Sequence, residues 1–163
     1  MIKNKPLWII TGIGIFATLV FLYLFVYNLA TRTVESALLI EKAYPNIKPA
    51  EYLSELKNQA KKNHLKLEII KNAGNTFILQ IINEKRLEDV LSVSPQASLL
   101  AIVNVVIYDL GNGTGLVATN PYIWDIIYPS NYIDDIAESY SEELSTIFDS
   151  IYWIWKEKSK ELD

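Results

Sequence analysis

Residues 7–29 carry no charged side chain, and that run constrains the chain more than any other feature. As a helix rising ~1.5 Å per residue it extends roughly 34 Å, enough to cross a hydrocarbon layer of about 30 Å. A cleaved signal peptide is the rival reading. Its apolar region would be roughly 7–15 residues long and would end in small residues at the cleavage site. Here the run is longer, and Asn28-Leu29-Ala30 matches such a site poorly. The sequence therefore reads as a single-pass protein with a retained signal anchor. Its expected divisions are a tail at 1–6, a transmembrane helix at 7–29, a helical stalk at 30–48 and a soluble domain at 49–163.

Within the span, Trp8, Tyr23 and Tyr27 sit toward the ends, where amphipathic rings favour the headgroup layer. Thr11, Gly14 and Thr18 share one helical stripe. Small side chains there admit a neighbouring helix at close range, although Gly and Thr are also common in membrane helices generally. Lys3, Lys5 and the amino terminus precede the span, and Arg32 follows it closely. The excess of positive charge places the N-terminus in the cytoplasm and the domain outside. The lipid bilayer is thus the first expected partner.

Composition narrows the domain's chemistry. All 19 acidic residues lie beyond the span with 13 of the 15 basic ones, a balance of −6, which disfavours nucleic acid as a partner. Cysteine is absent and His64 is the single histidine. Thiolate nucleophiles, disulfides and multi-histidine metal sites are excluded on those grounds, and no cofactor loop is expected.

Along the domain, Thr31 to Tyr44 is rich in helix formers and reads as a continuation of the anchor, stopped at Tyr44-Pro45-Asn46. Pro49 opens a helix in which Tyr52, Leu53, Leu56 and Ala60 recur at helical spacing. Leu65 to Ile69 alternates as a half-buried strand, Gly74-Asn75 turns, and Thr76 to Ile82 reads as its partner. Asn83 caps a helix with Leu87, Val90 and Leu91 inward. Leu99 to Tyr108 is an apolar run expected to be a strand covered on both faces, or mostly so. The turn Gly111 to Gly115 leads to a strand ending at Asn120-Pro121, and a long helix follows Ser130. The expected fold is α+β, in the order α-β-β-α-β-β-α around a small antiparallel sheet. Its core should include Phe77, Leu79, Leu100, Val105, Ile107, Val117, Ile136 and Leu144.

Several residues in that path form a recognisable series: Asn83, Leu91, Pro95, Leu99-Leu100, Val105 to Asp109, the Gly-Asn-Gly turn, and Val117 to Pro121. Over about residues 50–155 the chain resembles the domain of unknown function 302. The resemblance implies a TATA-binding-protein-like α+β fold and a tendency to pair through the sheet, and brings no established activity. The family's Pro-Cys-Arg is Ile102-Val103-Asn104 here, and its other cysteine is Ile82. Thiol chemistry suspected for relatives is therefore absent. The segment before the first strand is also short, which implies a missing edge strand.

Candidate sites are few. The Gly111–Gly115 loop is followed by a strand and has no lysine, so it reads as a hairpin turn and not a phosphate cradle. Asn112-Gly113-Thr114 is a glycosylation sequon. Asp134, Asp135 and Glu138 could hold a hard cation, or could simply complement a helix N-terminus. Tyr122, Trp124, Tyr128 and Tyr132 either line a ligand or partner surface or cover the end of the sheet. Trp153 points off the face of the last helix that faces the core, as a contact residue for another subunit or the membrane interface would. No catalytic constellation emerges. The expected function is a non-catalytic accessory subunit bound to other membrane protein subunits or to a second copy. An anchored small-ligand module stands second, and an enzyme third.

Overall fold

The computed structural model describes residues 5–128 and 130–160. Lys3, the side chains of Lys5 and Trp8, and Pro129 lie outside the described residues. The chain divides into two compact units, Met1–Ser36 and Ala37–Asp163.

The first unit is built on α1 (Lys5–Leu38), whose stretch Ile9–Arg32 is long and apolar enough to cross a membrane. Thr18 Oγ1 donates to the carbonyl of Gly14, Asn28 Nδ2 to that of Leu24, and Thr31 Oγ1 to that of Tyr27. These polar groups are thus satisfied on their own helix, which lowers the cost of an apolar surround.

In the second unit the chain order is β1 (Leu39–Pro45), α2 (Pro49–Lys62), β2 (Lys66–Ala73) and β3 (Thr76–Ile82). Then come α3 (Glu84–Val93), a 3-10 helix at Gln96–Ala101, β4 (Ile102–Asp109), β5 (Gly113–Thr119), α4 (Ile123–Ile127) and α5 (Asn131–Lys160). The five strands form one antiparallel sheet in the order β1-β5-β4-β3-β2. The α+β class and antiparallel sheet match the expectation.

The stalk does not. The helix ends at Leu38, and Leu39–Pro45 is an edge strand in register from Leu39 opposite Thr119 to Pro45 opposite Gly113. The Asn120 N–H donates to the carbonyl of Leu38 at 2.8 Å, removing it from the helical ladder. Ala, Glu and Lys in this segment favour helix locally, but Ile40 and Tyr44 alternate with exposed Leu39, Glu41 and Ala43. The open edge of β5 decides the matter, because strand preference depends on neighbours more than on composition. The folded unit therefore starts at Ala37 and not at 49, and β1 supplies the edge strand that the resemblance implied was missing.

Two other readings shift. The strand expected from Leu99 begins at Ile102, after the 3-10 turn that buries Leu100 and leaves Leu99 exposed. Nor is β4 covered on both faces. Val103, Val105 and Ile107 are buried, whereas Asn104 is exposed and Ile102, Val106 and Tyr108 lie between. β2 is mostly exposed, with Ile69 and Ile70 at a register shift.

The buried strand residues lie on one face of the sheet, with α2 and α5 supplying the other side of the core. Tyr52, Leu56, Ile133, Tyr140, Leu144 and Phe148 are wholly or almost wholly buried beside Leu79, Leu100, Val105, Ile107 and Leu116. Each large apolar side chain so buried contributes about 1.5–3 kcal/mol relative to exposure. Val117 and Ile136, expected in the core, are half-buried. On β5 the inward positions are Thr114, Leu116 and Ala118, fixed in part by Thr114 Oγ1 donating to the Ile47 carbonyl at 2.7 Å. Period two then sends Val117 to the other face. On α5, Ala137 takes the inward position beside Ile136. Leu91, expected inward on α3, is exposed, and Val90 is buried in that helix.

The opposite sheet face is largely open among the described residues. Ile78, Gln80, Asn104, Val106, Val117 and Thr119 lie on it, exposed or half-exposed. The Tyr108 ring lies across Gly115, where a side chain would collide with it.

Candidate functional site

Asn120 organises the aromatic segment. Its N–H holds Leu38, its side-chain Oδ1 accepts from the Tyr122 N–H at 3.1 Å, and its carbonyl accepts from the Ile123 N–H. This Asx turn ends β5, as the Asn-Pro step predicts, and leads into α4, a short helix the sequence reading did not include. The four aromatics then divide. Trp124 and Tyr128 are partly buried against the core, whereas Tyr122 and Tyr132 are exposed. The Asp125 carboxylate beside Tyr122 pushes its phenol pKa upward.

Trp124 lines a groove of about 330 Å³ with Leu99, Ile123, Pro121 and the polar residues Gln80, Asn104 and Thr119. Gln80 Nε2 donates to Asn104 Oδ1 at 3.2 Å, and the Asn104 N–H donates to Thr119 Oγ1 at 3.0 Å. The polar wall is thus partly self-satisfied.

Trp153 is exposed, while Tyr152 and Trp155 lie against the core. Lys156 Nζ stands 5.0 Å from the centre of the Trp153 ring, a cation–π contact at the surface. In α1, Thr11, Gly14 and Thr18 line one groove with Ile15 and Leu19, and a Cβ added at Gly14 would meet nothing within 4 Å.

Of the acidic trio, Asp134 has a capping contact: the N–H of Ser130, just before α5, donates to Asp134 Oδ1 at 3.3 Å, and Asp135 and Glu138 are exposed. Among the described residues no group of three or more His, Asp or Glu side chains could hold a metal ion. His64 is exposed with φ 55, in the left-handed region just beyond α2. Gly111 has φ 84 in the β4–β5 hairpin, where its N–H donates to Asp109 Oδ1 at 2.7 Å. Asn75 Nδ2 donates to the other oxygen of Asp109 and ties the two hairpin tips together. Those two donors hold the Asp109 carboxyl below its ordinary pKa.

Two polar clusters escaped the sequence reading. Asp149 on α5 accepts from Tyr44 and pairs with Lys42 Nζ at 2.9 Å, joining β1 to α5. Tyr44 stacks on Tyr52 at 5.0 Å and on Tyr152 at 5.6 Å. No local signal could reveal this group while 39–45 read as helix. In the second cluster, Arg86 pairs with Glu143 at 2.8 Å and covers the Tyr140 ring at 5.1 Å. The Tyr140 hydroxyl is buried with no hydrogen-bond partner.

This architecture has a known counterpart. The crystal structure of an uncharacterized conserved protein, DUF302, from Bacillus stearothermophilus aligns with a TM-score of 0.57 at 13% identity, covering 69% of this chain and 96% of that one. The chain has a DUF302-like fold, as the sequence resemblance implied. The structure of Ara h 8.0201 aligns at a TM-score of 0.36 and 11% identity over 71% of this chain, below the level that argues a shared fold. No family model matches the sequence, and no curated protein matches it.

Proposed function

We propose that this chain is a membrane-anchored, non-catalytic accessory subunit of a larger membrane protein complex, such as a respiratory or transport assembly. The observation that carries the reading is the union of two features in one chain. A helix apolar over Ile9–Arg32 needs a lipid or protein surround. The folded unit has a sheet with one uncovered face and an outward Trp153, surfaces suited to other subunits or to a second copy. The charge asymmetry of Lys3 and Lys5 against Arg32 supports a cytoplasmic N-terminus and an external domain.

The test is purification from native membranes in mild detergent, comparing wild type with Gly14→Leu and Trp153→Ala. Gly14 has open space around it and Trp153 is exposed, so neither change should disturb folding of the chain itself. Stoichiometric membrane partners, or a homodimer, should accompany the wild type and be depleted in both variants. A wild type that purifies as a lone monomer would sink the subunit reading. The second reading, a small apolar ligand in the Trp124 groove, would then lead. It predicts saturable quenching of tryptophan emission, lost in Trp124→Leu.

A further inference from the structure

We infer that the end of the folded unit where the chain enters at Ala37 docks on the headgroup layer of a neutral bilayer, with α4 as its wedge. The inference rests on the anchor reading and adds a second, independent membrane contact. Residues 33–36 alone separate Arg32, the end of the apolar stretch, from Ala37, where the second unit starts. Even fully extended, that link reaches only about 18 Å between Cα atoms. The hydrogen bond from the Asn120 N–H to Leu38 then pins the start of the α4 segment to the point of entry.

Exposed apolar side chains gather at this end of the unit. Leu38 and Leu39 lie at the entry, Ile126 and Ile127 on α4, and Tyr122 and Tyr132 on either side of that helix. Ile127 is 61% exposed. Apolar residues flanked by tyrosines have the composition that settles at a membrane interface. The hairpin tips at the opposite end of the sheet are different: Gly74-Asn75 and Gly111-Asn112, with Leu110 as the exposed apolar residue among them. Charge selects the lipid. Around α4 the charge is acidic, with Asp125, Asp134 and Asp135 near it in sequence and no Lys or Arg between Arg86 and Lys156, while Lys66 stands at this end on β2, the strand farthest from β1. Anionic headgroups would be repelled, whereas zwitterionic ones accept an apolar and tyrosine-rich surface.

The absence of cysteine makes the test direct. Full-length chain carrying one nitroxide label at Ile127→Cys, Asn112→Cys or Phe21→Cys is reconstituted in phosphatidylcholine vesicles. Accessibility to oxygen and to a water-soluble nickel chelate is read by power saturation. At 127 the chelate accessibility should be several-fold lower than at 112, with oxygen accessibility higher. Equal chelate accessibility at 127 and 112, with 21 embedded in hydrocarbon, overturns the docking while leaving the anchor intact. A label at 21 open to the chelate overturns the anchor reading itself. Loss of both oxygen and chelate accessibility at 127 means a protein contact, a second copy in place of lipid, and also overturns the docking.

Discussion

The hydroxyl of Tyr44 donates to Oδ1 of Asp149 across 2.9 Å, tying the edge strand to the last helix over 105 residues of sequence. Lys42 binds the other carboxylate oxygen, so β1 is anchored to α5 as well as to β5. A chain beginning at Ala37 should therefore unfold in one cooperative transition. A chain beginning at Pro49 loses Ile40, Tyr44 and Ile47 from the core and uncovers the edge of β5. It should aggregate or melt without cooperativity, as circular dichroism and urea titration would reveal. Asp149→Asn, a milder change at a half-exposed site, should cost about 1 kcal/mol. Cooperative folding of the Pro49 fragment would show that β1 is dispensable.

Alkaline pH should destabilise the unit. Desolvation by burial is the main cause that pushes the phenols of Tyr44, Tyr52 and Tyr140 well above their ordinary value of 10.0. Asp149 reinforces the rise at Tyr44, and Glu143 at Tyr140. Folded values above unfolded ones mean stability is intact below about pH 10 and falls as pH rises beyond it, because only the unfolded phenols ionise readily. The share of phenolate absorbance that belongs to these three buried tyrosines should appear only as the melting temperature falls. Tyr140→Phe removes a hydroxyl that has no partner, so it should be neutral or stabilising by up to ~1 kcal/mol and should soften the alkaline loss. Free ionisation of all tyrosines in the folded protein would contradict this account.

His64 closes α2 in a conformation better suited to glycine. Its N–H donates to the Lys61 carbonyl, and the Leu65 N–H reaches back to Ala60 at 2.8 Å. This is the pattern of a Schellman stop, with buried Leu65 as its apolar contact. His64→Gly should relieve the left-handed strain and stabilise the unit by about 1 kcal/mol. Chemical denaturation would detect it as a higher midpoint at unchanged slope. A lower midpoint would mean that the imidazole makes a contact worth more than the strain.

Leu100 is 1% exposed and sits on the 3-10 turn that precedes β4. Leu100→Ala should cost ~2–5 kcal/mol, since a short turn held between α3 and the sheet has little freedom to collapse onto the cavity. Exposed Leu99 provides the control, and its alanine variant should shift stability by less than about 0.5 kcal/mol. Similar losses at both positions would place the turn wrongly.

How much of this was legible in the sequence varies with the range of the forces involved. The apolar stretch of α1, the Pro49 start of α2, the Asn83 cap and the Asn-Pro end of β5 are local events. Asn83 Oδ1 accepts from the Arg86 N–H at 3.1 Å, an arrangement decided within four residues of chain. Such features follow from backbone sterics and nearby hydrogen bonds, so a linear reading finds them. The outward direction of Trp153 follows likewise from helical spacing on α5.

What only the tertiary structure decided involves partners far apart in the chain. Residues 39–45 have a helical composition and became a strand because β5 offered an unpaired edge. That choice then brought Tyr44 and Lys42 to Asp149. The apolar run of β4 concealed that one face of the sheet stays open, since Val and Ile occur on both faces while the helices cover just one. The division of the aromatic segment, with Trp124 and Tyr128 packed inward and Tyr122 and Tyr132 exposed, depends on how α4 meets α5. Local propensities amount to tenths of a kcal/mol per residue, whereas burying one core side chain contributes a few kcal/mol. Where the two disagree, burial prevails, and burial is a property of the assembled fold.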